Sequence, residues 1–191
     1  MIKAKLDRIF VYDLEATCYH DKTKPTEIIE IGIVPLDLLT MEVREDISFS
    51  SLIINRKTEI SDFCTELTGI TQQMIKENGK DFGDVCNTIG KFYSIKYPHG
   101  SWGNYDIVKL QSQCKEYGVD FPFGKTHYNL KNLYAILTGD RNEKGLGKAL
   151  KERKMEFKGK QHSALDDAIN TALLMRDVFL ELGIGKKKGV R

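Results

Sequence analysis

Short apolar runs dominate the first fifty residues. Arg8–Asp13 (RIFVYD) is rich in β-formers and predicts a central strand. Glu27–Leu36 (EIIEIGIVPL) is apolar and β-branched and predicts a second. Glu42–Ile54 predicts a third, and the short Pro35–Thr40 link between them favours antiparallel neighbours. The period then changes. Thr71–Asn78 and Asp81–Lys96 read as helices, the second with Phe82, Val85, Ile89 and Phe92 on one side. His99–Gly103 is a short strand. Tyr105–Tyr117 is an amphipathic helix stopped by Gly118. Thr126–Asn129 is a fifth strand, followed by helices at Leu130–Leu137, Gly145–Lys154 and Ser163–Leu182. This order, βββ, αα, β, α, β, ααα, predicts an α/β fold with a mixed five-stranded sheet flanked by helices.

Composition narrows the class. The chain has 191 residues, 41% hydrophobic and 29% charged, which suits one globular domain over residues 1–183. No apolar run approaches the roughly 18 residues of a membrane helix, and Met1–Lys5 is too polar for a secretory signal. Cys18, Cys64, Cys86 and Cys114 have no zinc or redox spacing and read as free thiols in a reducing cytoplasm. The net charge is +2, but Lys186, Lys187, Lys188 and Arg191 lie in a basic tail, residues 184–191, that is expected to fray; without those four the balance is −2. Arg141–Lys160 holds eight basic and three acidic residues. It reads either as a solvated helix face or as the path of an anionic strand.

Three acidic segments carry the chemistry. In Val11-Tyr12-Asp13-Leu14-Glu15, period two puts Asp13 and Glu15 on one face at the end of an apolar strand, with Tyr12 on the other. Two such carboxylates turn outward into a loop, or are neutralised by protons or divalent cations. Asp106 opens a helix after a short strand, a place that also suits an N-terminal charge. His162-Ser163-Ala164-Leu165-Asp166-Asp167 opens the last helix. At 100° per residue Asp167 lies roughly 110° from the centre of the apolar face and Asp166 roughly 150°. Asp167 therefore borders the buried face, and Asp166 points more to solvent.

Together these segments resemble the DEDDh exonucleases of the ribonuclease H-like fold. The strings DLEATC (Asp13–Cys18), FCTELTGITQ (Phe63–Gln72), GSWGNYD (Gly100–Asp106), NLKNLY (Asn129–Tyr134) and HSALDDAINTA (His162–Ala172) are similar to the Eri-type 3′–5′ exoribonucleases and the KapD-like bacterial proteins. The resemblance spans Arg8 to Leu182. It implies that Asp13, Glu15, Asp106 and Asp167 hold two divalent metals, Mg²⁺ or Mn²⁺, and that His162 is the general base. Hard cations take oxygen ligands. A metal pair holds the attacking and leaving oxygens of a phosphodiester, and histidine accepts a proton near neutral pH.

The implied partner is RNA with a free 3′ end, single-stranded or as a short overhang, with single-stranded DNA as a further substrate and no membrane. By the same resemblance the backbone of Ala16 and Thr17 meets the terminal sugar. Leu67 and Thr68, within the LTGI segment, wall the terminal nucleotide. Trp102 either stacks on a base or packs in the core. His20, His99 and His127 have no partner motif. Two rival readings use the same fold: a DNA-directed exonuclease of proofreading or repair type, and a regulatory binding module without turnover. The intact acidic set argues against the second.

Overall fold

The computed structural model describes residues 6–93 and 96–184. The basic tail, beyond its first residue, therefore lies outside the described residues. Among the described residues, six strands and seven α-helices follow in chain order: β1 (Arg8–Ala16), β2 (Ile28–Asp37), β3 (Glu42–Val43), β4 (Phe49–Leu52), α1 (Asp62–Thr68), α2 (Gln72–Asn78), α3 (Phe82–Phe92), β5 (His99–Ser101), α4 (Tyr105–Tyr117), β6 (His127–Asn129), α5 (Leu130–Thr138), α6 (Leu146–Glu152) and α7 (Ala164–Glu181).

The mixed α/β architecture agrees with the expectation, with two corrections. The sheet has six strands rather than five, because the stretch Glu42–Ile54 is broken by a 3₁₀ turn at Glu45–Ile47. Its two pieces pair antiparallel with successive parts of β2, Leu36 opposite Val43 and Glu30 opposite Leu52. The helix α1 is an addition to the expected elements. It is only seven residues long, and its readable signals are its ends: the Ser61 hydroxyl accepts the Cys64 N–H, and Gly69 closes it at φ 78°. The helix expected over Asp81–Lys96 ends at Phe92, and residues 94 and 95 lie outside the described residues.

The sheet order is β3-β2-β1-β5-β6, with β4 also on β2. The β1–β2 pair is antiparallel; β5 runs parallel to β1, and β6 parallel to β5. Alternation divides β1 between two cores. Phe10, Tyr12 and Leu14 join Ile31 and Ile33 of β2 under α3 and α4. Ile9 and Val11 join Val34 and Leu36 under α7. Asp13 and Glu15 share the parity of Ile9 and Val11, so they continue the α7 face. Opposite Asp13 on β2 is Gly32. A Cβ there would come within 2.2 Å of the Leu165 backbone, so glycine lets the first turn of α7 lie directly on the sheet. The register shifts between Glu15 and Ala16, leaving one extra residue, Ile29, on β2.

Candidate active site

The carboxyl ends of the parallel strands β1 and β5 lie side by side. In open α/β sheets this is where ligands bind. β1 delivers Asp13 and Glu15 there. β5 leads through a short turn into α4, whose first turn carries Asp106. The start of α7, seated over Gly32, brings Asp167 and, just before the helix, His162.

Ligand atoms of Glu15, His162 and Asp167 all lie within 4.8 Å of one another. His162 Nδ1 is 4.0 Å from Glu15 Oε1. The imidazole is half exposed, whereas Glu15 and Asp106 are buried. Their electrostatics show mutual proximity. Burial pushes the Asp13 carboxyl well above its usual range, and Asp106, Asp167, Glu15 and Glu30 add to the effect. Burial, then Asp167, Glu30 and Asp106, lifts Glu15 to about 8, against a small pull from Lys160. Burial raises Asp106 to about 6, partly offset by hydrogen bonds to its carboxylate. Burial likewise raises Asp167 to about 6, against the hydrogen bond from the His162 backbone. Like-charged oxygens in one low-dielectric site take up protons or a cation. An all-oxygen set with one imidazole at its rim suits a hard divalent ion.

The loop before α7 is held by side chains of α7 itself. The His162 N–H donates to Asp167 Oδ2 at 2.8 Å, and the Lys160 N–H donates to Asp166 Oδ2 at 2.8 Å. Asn170 accepts from Lys158 N at 2.9 Å and donates back to the Lys158 carbonyl at 2.8 Å. Asp166, expected to face solvent, is therefore half-buried and engaged with the loop. Lys160 Nζ reaches across to the Thr68 carbonyl at 2.9 Å. It passes through the space a side chain at residue 69 would need, since a Cβ on Gly69 would lie 2.0 Å from this nitrogen.

Ala16 and Thr17 continue β1 and its following turn, both buried. The Thr17 hydroxyl is consumed internally, accepting from Glu27 N and donating to Thr58 Oγ1. Leu67 is exposed on α1, while Thr68 is buried with its hydroxyl on the Cys64 carbonyl. Trp102 is half-buried; its indole N–H donates to the Lys144 carbonyl at 3.0 Å and its ring packs against Tyr134. Sequence reasoning missed Glu30, which pairs across the sheet with Glu15. The signal was a charged residue within the apolar run Glu27–Leu36.

A family model described as exonuclease matches residues 10–175. The chain belongs to the exonuclease family. Human ERI1 exoribonuclease 2 is 32% identical over 198 residues, covering 90% of this chain and 28% of that protein. Human 3′-5′ exoribonuclease 1 is 31% identical over 180 residues, covering 87% of this chain and 50% of that one. This exonuclease-family chain thus spans a quarter to a half of the length of these relatives. Among solved structures, the nuclease domain of 3′hExo, a DEDDh family member bound to rAMP, superposes with a TM-score of 0.84 at 27% identity over 96% of both chains. Exonuclease I, at 13% identity and a TM-score of 0.75, shares the fold. Among the described residues, no helix is long and apolar enough to cross a membrane.

Proposed function

We propose that the protein is a metal-dependent 3′–5′ exonuclease that removes nucleoside 5′-monophosphates from single-stranded RNA or short 3′ overhangs. The carrying observation is the meeting of Glu15 on β1 with Asp167 and His162 at the start of α7. The names of the relatives, exoribonucleases at about 30% identity, support RNA as the substrate.

Asp13, Glu15, Asp106 and Asp167 would hold two divalent cations, Mg²⁺ or Mn²⁺. Bound cations supply Lewis-acid chemistry, lowering the pKa of the attacking water and stabilising charge on the leaving oxygen. The residues do the rest. His162, half exposed beside Glu15, takes the proton from the attacking water and passes it to solvent. The water oxygen bonds to phosphorus as the bond from phosphorus to the 3′ oxygen breaks. The 3′ oxygen takes a proton from solvent, which leaves the upstream strand with a 3′ hydroxyl. The backbone of Ala16 and Thr17 lies against the terminal sugar, and exposed Leu67 offers an apolar wall to the terminal base. Trp102, half-buried against Tyr134, would stack on a base with what remains uncovered of its ring. Lys160, held on the Thr68 carbonyl, adds a positive charge at the mouth of the acidic site.

The deciding experiment uses 5′-labelled single-stranded RNA and DNA of one sequence with Mg²⁺, Mn²⁺ or EDTA. RNA should shorten one nucleotide at a time, faster than DNA, and only with metal. A 3′-phosphate should block it, and a circular RNA should survive. Faster digestion of DNA would make the protein a DNA-directed enzyme, and internal cutting of the circle would end the exonuclease reading.

A further inference from the structure

Glu30 has no task in the mechanism above, yet its position is costly. It sits on β2 directly across from Glu15, among carboxylates that repel it. A half-buried carboxylate keeps such a place where hydrogen bonds hold it. Glu30 Oε2 accepts the backbone N–H of Ala164 at 2.9 Å, and the Ser50 hydroxyl reaches Oε1 at 3.5 Å.

Ala164 is the first residue of α7. The first N–H groups of a helix have no partner within the helix and are ordinarily satisfied by the side chain just before it. Here that residue is Ser163, and its side chain makes no capping bond. The cap comes instead from another element, 134 residues away in sequence. Two residues along the same face of β2, Gly32 leaves room for the backbone of Ala164 and Leu165. One stretch, Glu30-Ile31-Gly32, thus both caps and seats the start of α7. Glu15 and Asp13 are the cross-strand partners of Glu30 and Gly32.

We infer that Glu30 is a positioning residue for hydrolysis: by capping α7 from β2, it fixes His162 and Asp167 against Glu15. This rests on the exonuclease reading. Glu30 acts through its acceptor oxygen on the Ala164 N–H, and direct contact with substrate or metal is not needed. A shift of about 1 Å in such a constellation costs on the order of 100-fold in rate.

The test compares Glu30→Ala and Glu30→Gln with wild type in the full chain. Three quantities are measured: kcat and KM on a 5′-labelled oligoribonucleotide, Mn²⁺ affinity by calorimetry, and hydrogen exchange at the Ala164 amide in EDTA. Glu30→Ala should lower kcat by about 10–100-fold with KM within about twofold, and should speed exchange at Ala164 by at least about tenfold. Glu30→Gln keeps an acceptor oxygen, and should restore kcat to within about threefold of wild type and keep Ala164 protected. Mn²⁺ affinity should change by less than about fivefold in Glu30→Gln. Wild-type kcat in Glu30→Ala overturns the inference, as does unchanged exchange at Ala164. So does a Glu30→Gln variant with a protected Ala164 but kcat down tenfold or more, because the charge would then matter rather than the cap. If Glu30→Ala does not fold, Glu30→Gln decides by these last criteria. A wild type inactive on every RNA overturns the exonuclease reading and with it the positioning role. An active wild type with an equally active Glu30→Ala overturns the positioning role alone.

Discussion

The backbone N–H of His162 donates to Asp167 Oδ2 at 2.8 Å, and His162 adopts φ 61° to do so. A residue expected to move a proton and a residue expected to hold a metal are therefore mechanically joined. The left-handed backbone at a non-glycine position costs about 1 kcal/mol, which the loop's hydrogen bonds to α7 offset.

This joint separates two variants of Asp167. Asp167→Asn keeps an acceptor for the His162 N–H but loses the charge; Asp167→Ala loses both. Both should lower activity by more than about 100-fold and weaken Mn²⁺ binding. Only Asp167→Ala should expose the His162 amide to exchange. Equal exchange in the two variants would mean that the hydrogen bond does not hold the loop.

Asp166 offers a contrasting case. Its carboxylate holds the Lys160 N–H and packs against the left-handed Gly159, where a Cβ would fall 2.4 Å from it. Asp166→Ala should release this turn, slowing RNA hydrolysis by about 3–10-fold while leaving Mn²⁺ affinity near wild type. Loss of metal binding in this variant, with Asp167→Ala unaffected, would reverse the roles of the two aspartates.

The histidine is best tested with glycine. At φ 61°, alanine would keep the backbone strain, whereas His162→Gly relieves it while removing the imidazole with the rest of the side chain. Turnover should fall by roughly 10²–10⁴ with Mn²⁺ affinity little changed. If calorimetry instead shows metal affinity lost with the ring, His162 is a ligand beside Glu15 and Asp167, and the base lies elsewhere.

Stability should depend on pH in a direction opposite to that of a salt-bridged protein. Glu15 is raised to about 8 and Asp106 and Asp167 to about 6, against ordinary values near 4 in the unfolded chain. Between about pH 4 and 8 the metal-free native state binds more protons than the unfolded state, so these groups make stability fall as pH rises. In EDTA the Tm contribution of the cluster should decline from pH 5 to pH 8. Mn²⁺ should raise Tm more at pH 8 than at pH 5, since binding displaces protons. Glu15→Gln, with no proton to lose, should show a flatter decline than wild type. An unchanged slope would mean that Glu15 titrates normally.

Part of the positive charge in the stretch Arg141–Lys160 is already paired. Lys144 pairs with Asp140 and Glu152, Arg153 with Asp177 and Glu181, and Lys158 with Glu45. Lys151 and Lys154 line a groove of about 390 Å³ with Leu150, Met155, Phe157 and Gln161, next to His162 in sequence. Exposed Lys148 stands one turn before Lys151. Neutralising Lys148 and Lys151 together should weaken RNA binding and lower the slope of log affinity against log salt by about 0.7 for each phosphate no longer neutralised. An unchanged slope would leave them a solvated helix face. The same measurement after truncation at Gly183 isolates the contribution of the basic tail.

Local chemistry made much of this protein legible from its sequence. The alternation in RIFVYDLE places Asp13 and Glu15 on one face whatever surrounds them, because side chains of a strand repeat every two residues. The spacing of apolar residues after His162 marks a helix whose first turn carries two aspartates, and Gly118 ends the helix begun near Asp106. Short or interrupted elements were less legible: α1 has only seven residues, and the break between β3 and β4 is a single turn at Glu45–Ile47 inside a stretch that is otherwise strand-like. Tertiary structure alone decided which remote groups meet. Glu30 looked like one polar residue in a buried strand, and only the antiparallel register sets it opposite Glu15 and beneath Ala164. Helical angles assigned Asp166 to solvent, but a loop folding back over α7 gave its carboxylate a backbone partner. The physical reason is the same in each case: periodicity fixes direction within one element, while hydrogen bonds between elements depend on register, crossover and docking, which no single segment encodes.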